Sequence, residues 1–166
     1  IGASMATGLA ALGASLSITG RDVDALNTVK ANIENGCDVD VQTFVFDVTD
    51  AEAISRVMTE ASQSFGPVSI LVNNAGAATS APFMKTDIKR WQSLLDINLT
   101  GPFLLTQAVL PAMLEAKSGR VINVASTAGM IGYSYVAPYV ASKHGVIGLT
   151  RALATEYARS GVTFNS

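Results

Sequence analysis

Apolar and polar positions along this chain fall into blocks that read alternately as helix and strand. Ala3 to Gly13 is rich in Ala, Leu and Met and predicts a helix ended by Gly13. Ala14 to Thr19 alternates small and apolar residues and predicts a short strand. Gly20-Arg21-Asp22 is a turn, and Asp22 is a suitable N-cap for a helix that runs to about Asn35 and stops at Gly36. Val41 to Val48 predicts a strand, Thr49-Asp50 a cap, and Ala51 to Phe65 a helix, with Gly66-Pro67 as punctuation. Val68 to Val72 has the apolar run of a buried strand and leads into Asn73-Asn74-Ala75-Gly76. After a loop through Pro82, Asp87 opens a long helix to about Lys117. On that helix Trp91, Leu94, Leu95, Pro102, Leu105 and Val109 form one stripe, and Asn98 sits near its centre. Gly119 to Ala125 predicts a strand, Ser126 to Ala137 a loop, Pro138 to Ser160 a helix, and Gly161 to Asn165 a last strand. Strands alternating with long helices predict an α/β fold with a parallel sheet covered on both faces. Ligands of such sheets bind at the carboxyl ends of the strands. Gly20, Asp47, Asn74 and Ser126 all fall at or just after predicted strand ends, which points to one shared site.

Composition narrows the picture. The 166 residues fit one domain, 49% are hydrophobic and 14% are charged, so a sizeable core can form. A formal charge of −2 offers no electrostatic footprint for nucleic acid or an anionic membrane, and neither is expected as a partner. Cys37 is the only cysteine, which excludes an internal disulfide and fits a reducing, cytoplasmic setting. No apolar stretch of membrane-spanning length and no secretory signal is expected. No His, Cys and Asp cluster has metal-ligand spacing, so no metal site is expected. The chain begins at Ile1-Gly2 directly before a helix and ends at Ser166 within a strand pattern, which reads as an internal piece of a longer protein.

The chemistry concentrates in Tyr139-Val140-Ala141-Ser142-Lys143. Residues four apart on a helix share a face, so a phenol and an ammonium stand one turn from each other. The lysine charge attracts a phenolate at Tyr139, which suits a tyrosine to acid–base work near neutral pH. Ser126, thirteen residues upstream, offers a hydroxyl to hold a carbonyl or alcohol oxygen. His144 adjoins Lys143 but points about 100° away on the helix, which reads as structural.

Four motifs together resemble the short-chain dehydrogenase/reductase superfamily. They are Asn73-Asn74-Ala75-Gly76, Asn98 within Ile97-Asn98-Leu99-Thr100-Gly101, Ser126 after Asn123-Val124-Ala125, and Tyr139-x-x-x-Lys143. Their order and spacing are similar to those of the family throughout the chain. The resemblance implies a Rossmann-type doubly wound parallel sheet, here incomplete, with the first strand and the C-terminal substrate lid missing. The gap would leave strands without a ladder partner, and the isolated piece is expected to fold poorly and lack activity.

The resemblance implies a catalytic set of Asn98, Ser126, Tyr139 and Lys143. Tyr139 would be the general acid/base. Lys143 would support it and bond the nicotinamide ribose, and Ser126 would orient substrate. Asn98 would hold water in a proton relay, which is compatible with a buried asparagine tying down backbone. Cofactor binding is implied at Ile1 and Gly2 (the end of a phosphate loop), Arg21, Asp47 and Val48 (adenine), and Asn74, Ala75 and Gly76 (adenine and ribose), with Tyr139 and Lys143 at the nicotinamide end. Asn73 alternatively pins strands, and Asp47 alternatively caps a helix. Gly20 stands where NAD-preferring members carry an acidic residue, and Arg21 beside it suits a 2′-phosphate. The expected cofactor is therefore NADP, with NAD possible if Asp22 serves as the acidic residue.

The expected activity is interconversion of a ketone and a secondary alcohol, similar to the 3-oxoacyl-carrier-protein reductase and ketoreductase branch, by a homotetramer or dimer. Alternatives are an NAD-linked alcohol dehydrogenase, a dinucleotide sensor without turnover, and an epimerase.

Overall fold

A computed structural model describes all residues, Ile1–Ser166. The chain forms two compact units, Ile1–Gly66 and Pro67–Ser166.

In the first unit, helix α1 (Gly2–Ala10) is followed by strand β1 (Leu16–Gly20), helix α2 (Val23–Gly36), strand β2 (Val41–Val45) and helix α3 (Ala51–Phe65). The strands run parallel from Leu16 opposite Val41 to Gly20 opposite Val45. Ala10, Leu16, Ile33 and Val41 form the buried centre, and Cys37 packs against it. Two carboxylates set the helix starts. Asp22 accepts from the amides of Asp24 and Ala25, and Asp50 accepts from that of Ala53. Strand β2 stops at Val45, three residues short of its expected end at Val48. The reason is local: the Asp47 carboxylate turns onto Thr49 and draws the chain out of the ladder.

The second unit holds strands β3 (Ile70–Asn73), β4 (Gly119–Asn123) and β5 (Val162–Asn165), paired in parallel in that order. Ile70 to Asn73 lie opposite Arg120 to Asn123, and Gly119 to Ile122 opposite Val162 to Asn165. In the two sheets β1 pairs only with β2, and β3 only with β4.

A long helix spans Ile88–Glu115. It consists of α4 (Ile88–Leu95), a widened π turn (Asp96–Thr100) and α5 (Gly101–Glu115). By length and composition alone it is apolar enough to cross a membrane, which corrects the sequence expectation that no such stretch exists. Its buried face is used within the unit: Leu94, Leu105, Val109 and Met113 are core residues. Contacts run from α5 to β3 and β4, and from α4 and the π turn to helix α6 (Ala137–Glu156). Helix α6 ends four residues before the expected Ser160. Tyr157 leaves helical geometry there, and the hydroxyl and amide of Ser160 both bond its carbonyl.

Candidate active site

Pro138 lies in the first turn of α6, where its missing N–H costs nothing. One turn of that helix carries Tyr139 and Lys143. Lys143 is 5% exposed, and its Nζ donates to the Val124 carbonyl at 2.7 Å. No carboxylate pairs with it, since the ion pairs of the chain are Arg21–Asp47, Lys30–Glu34 and Arg56–Glu60. Burial therefore pushes the lysine below its ordinary pKa, because the charged form loses water without gaining a counter-charge. Its Nζ stands 5.8 Å from the centre of the Tyr139 ring, so the two side chains share one region as their spacing predicted.

Asn98 lies in the π turn and is buried. Such widened turns recur at functional sites because they re-aim a side chain within a helix. Asn98 Oδ1 accepts from the Ala77 amide at 2.9 Å, and Nδ2 donates to the Ala77 carbonyl at 2.8 Å. The second Nδ2 proton goes to Ser142 Oγ at 3.1 Å. Both donors of this amide are thus in use. Ser142 Oγ in turn donates a hydrogen bond to the Tyr139 carbonyl at 2.8 Å. Sequence reasoning missed Ser142, which is fully buried and joins Asn98 to the turn of α6 that carries Tyr139 and Lys143.

Gly76 closes this cluster. A Cβ there would stand 3.0 Å from Asn98 Oδ1 and 3.7 Å from Lys143 Nζ. The segment Asn74-Ala75-Gly76 that leaves β3 therefore runs beside both groups.

Ser126 begins a short 3-10 turn (Thr127–Gly129) after β4, and its Oγ accepts from the Ala128 amide at 3.2 Å. Its partner is this amide and not the Tyr139 phenol, and its O–H proton stays free to donate. The turn sits tightly on α6, since a Cβ on Gly129 would come within 2.7 Å of the Lys143 carbonyl oxygen. That close approach fixes Ser126 relative to the helix carrying Tyr139.

Beneath the site a buried polar row spans the unit. Asn73 Nδ2 donates to Asn123 Oδ1 at 2.8 Å and reaches Thr106 Oγ1 at 3.4 Å. Asn123 Nδ2 donates to Thr150 Oγ1 at 2.8 Å. Asn73 thus pins β3 to β4 at its carboxyl end, as one of the two sequence readings had it, while its Oδ1 has no partner. Thr106 and Thr150 were not singled out as members of this row.

The remaining sequence candidates lie in the first unit. Ile1 is the N-cap of α1 and supplies no side-chain cap, so the first amides of the helix, starting at Gly2, are free. Gly20 is the last residue of β1. Arg21 is 73% exposed and lies 3.7 Å from the Asp47 carboxylate. Asp22 is committed to capping α2. Asp47 accepts from the amide and hydroxyl of Thr49 at 3.0 and 2.8 Å, and Val48 between them is half-buried. The Thr49 bonds, more than the Arg21 charge, hold Asp47 below the usual carboxylate range.

A family model described as short chain dehydrogenase matches residues 1–166. The chain is 45% identical over 169 aligned positions to a Streptomyces violaceoruber protein named for a ketoacyl reductase of the granaticin polyketide synthase. The match covers 100% of this chain and 61% of that protein, so the chain spans less than two thirds of its length. A solved structure from Sinorhizobium meliloti 1021, described as a short-chain alcohol dehydrogenase, superposes with a TM-score of 0.94 at 37% identity, over 99% of this chain and 65% of that one. A metagenomic short-chain oxidoreductase in complex with NADP superposes with a TM-score of 0.92 at 34% identity, over 96% and 72%. These likenesses identify the fold as a Rossmann-type α/β fold. With the family model matched from end to end, the chain belongs to the short-chain dehydrogenase family.

Proposed function

We propose that the protein containing this chain is an NADP-linked oxidoreductase that interconverts a ketone and a secondary alcohol, with NADPH favoured. The observation that carries this reading is the buried Lys143 ammonium, unpaired with any carboxylate and 5.8 Å from the Tyr139 ring. A charge so placed is costly unless the site uses it.

The residues present fit a dinucleotide. An ammonium carries three donors and the Val124 carbonyl takes one, so two remain for hydroxyls such as those of a ribose. Gly76 leaves room beside Lys143 that a side chain would fill. In the first unit, the start of α1, with Ile1 as N-cap and free amides from Gly2 onward, suits a pyrophosphate. Arg21 is exposed, follows a residue without a carboxylate, and suits a 2′-phosphate. Asp22 is occupied as a cap, which weighs against its use on a ribose hydroxyl. Asp47 and Val48 are assigned to the adenine, and Asn74, Ala75 and Gly76 to adenine and ribose. Similar proteins support the choice, because the metagenomic relative was solved with NADP.

When bound, the nicotinamide exchanges a hydride with the carbonyl carbon. The chain's own residues handle the oxygen. Ser126 receives a hydrogen bond from Ala128, which leaves its O–H free to donate to the carbonyl oxygen. Tyr139 gives that oxygen its proton, and the Lys143 charge stabilises the phenolate left behind. Asn98 is assigned to hold a water that reloads the relay, with its side-chain amide fixed on Ala77 and Ser142. A homo-oligomer fits the exposed apolar Ile88 and Phe103 on the long helix.

The test is NADPH consumption by the full gene product over a panel of ketones. Carbonyl-dependent consumption, slower with NADH, supports the reading. NADPH binding without turnover on any ketone overturns it in favour of a sensor.

A further inference from the structure

We propose that Thr150 and Asn123 are positioning residues for Lys143, because they fix the carbonyl to which its ammonium is bonded. The proposal rests on the reading of Lys143 as the group that supports Tyr139 and holds the cofactor ribose. Lys143 Nζ makes one hydrogen bond within the chain, to the Val124 carbonyl at 2.7 Å. The place of that carbonyl therefore sets where the ammonium stands. The sheet alone does not hold it. The last rungs of β4 are Asn123 opposite Asn73 and Ile122 opposite Asn165, so Val124 lies beyond both ladders. Its amide bonds the Asn73 carbonyl at 2.9 Å, and its own carbonyl faces α6 with no backbone partner. What steadies this strand end is the side chain one residue earlier.

Hydrogen bonds close a ring through that side chain. Asn123 Nδ2 donates to Thr150 Oγ1, and Asn123 Oδ1 accepts from Asn73 Nδ2, both at 2.8 Å. The Asn73 carbonyl then holds Val124, and Val124 holds Lys143. The ring begins and ends on α6, where Thr150 follows Lys143 by two turns on the same face. Its polarity is fixed. Thr150 spends its proton on the Val146 carbonyl at 2.8 Å, so its oxygen can only accept, and Asn123 must offer it Nδ2. Asn123 is 1% exposed and Thr150 4%, so solvent does not replace a lost bond. The other support of Asn123 is weaker. Asn73 is held only at its donor end, since its Oδ1 has no partner and its contact with Thr106 Oγ1 is long at 3.4 Å. Thr150, more than Thr106, is thus the anchor. No other charge does this work. Lys89 and Arg90 of α4, Asp96 of the π turn and Arg120 of β4 lie on elements packed against α6, and none pairs with Lys143. On α6 itself His144 bonds the Val140 carbonyl, and Arg151 and Glu156 lie two or more turns further along. The Val124 carbonyl is the group that bonds the charged lysine against the cost of burial.

The experiment is an NMR titration of lysine isotopically labelled at Cε, in the full gene product without cofactor. The Lys143 signal is the one that Lys143→Met removes. Thr150→Val keeps the shape of the side chain and deletes the accepting oxygen. It is expected to move the Lys143 titration further down in pH, by about tenfold in proton affinity, because a misplaced carbonyl no longer favours the charged form. NADPH should bind about tenfold more weakly in a calorimetric titration of the same variant. Thr150→Ser keeps the oxygen and is expected to restore both. Thr106→Val lies in the same buried row but outside the ring, and is expected to lower Tm while leaving the Lys143 titration in place. Thr150→Cys, whose sulfur accepts weakly, should move the titration the same way by less, and it carries the test if the valine variant does not fold. A Lys143 titration that stays or rises when the oxygen is removed overturns the proposal, as does an equal shift in Thr106→Val. A downward shift with unchanged NADPH affinity upholds the positioning role and overturns instead the reading of Lys143 as a cofactor group.

Discussion

Ser142→Ala removes one oxygen atom and almost no volume, so its effect is one of hydrogen bonding. In the native chain that oxygen accepts from Asn98 Nδ2 at 3.1 Å and donates to the Tyr139 carbonyl at 2.8 Å. The site is fully buried, so no solvent replaces the lost partner. One Asn98 donor is left unsatisfied, at about 1–3 kcal/mol, and loss of the bond to Tyr139 adds about 1 kcal/mol. The expected destabilisation is about 2–4 kcal/mol, read as a lower denaturation midpoint at unchanged m-value. Because Asn98 and Ser142 share the bond, Ser142→Ala and Asn98→Ala should be non-additive, with a coupling of about 1 kcal/mol. kcat should fall in Ser142→Ala while NADPH affinity holds, since the altered bonds support the turn carrying Tyr139, the proposed proton donor. A change under about 0.5 kcal/mol, as for an ordinary surface site, would refute the reasoning, as would strict additivity.

Arg21→Ala should weaken NADPH far more than NADH in a binding titration, and equal weakening would remove the 2′-phosphate clamp. Gly129→Ala places a Cβ within 2.7 Å of the Lys143 carbonyl oxygen; it should destabilise by about 1–3 kcal/mol in chemical denaturation and also lower kcat by displacing Ser126. For Asp47, a lowered folded pKa means that its stabilising contribution is present above the ordinary carboxylate value and is lost as pH falls through the folded value. Thr49→Val should raise the Asp47 pKa in an NMR titration more than Arg21→Ala does, because the Thr49 bonds outrank the Arg21 charge.

Much of this architecture is legible in the sequence because local chemistry and fold agree. Asp22, Asp50 and Asp87 each precede a helix and each accepts from amides of the first turn. The i, i+4 spacing of Tyr139 and Lys143 fixes their shared face whatever the tertiary context. The features that escaped depend on partners distant in the chain. Ser142 reads as a neutral small residue in a helix, and only the π turn of another helix gives it a role. That turn shows no local cause in its sequence; it lies where α6 presses close, with a Cβ on Gly145 only 2.8 Å from Leu99. Thr106 and Thr150 bond their own helix carbonyls in the usual way, and only the sheet register brings Asn73 and Asn123 to them. Tyr135 carries no residue-type signal for a left-handed backbone; its conformation accompanies a bond from the distant Ala81 amide to its carbonyl.

The most direct measurement is steady-state turnover of Tyr139→Phe beside its NADPH affinity, in the full gene product. Loss of the phenolic oxygen leaves the Ser142 bond to the main-chain carbonyl of residue 139 in place, so the fold and the cofactor groups stay as they are. The account predicts a fall in kcat of about 100-fold or more, the usual worth of a positioned proton donor, with nearly unchanged NADPH binding. Wild-type kcat in this variant would contradict it.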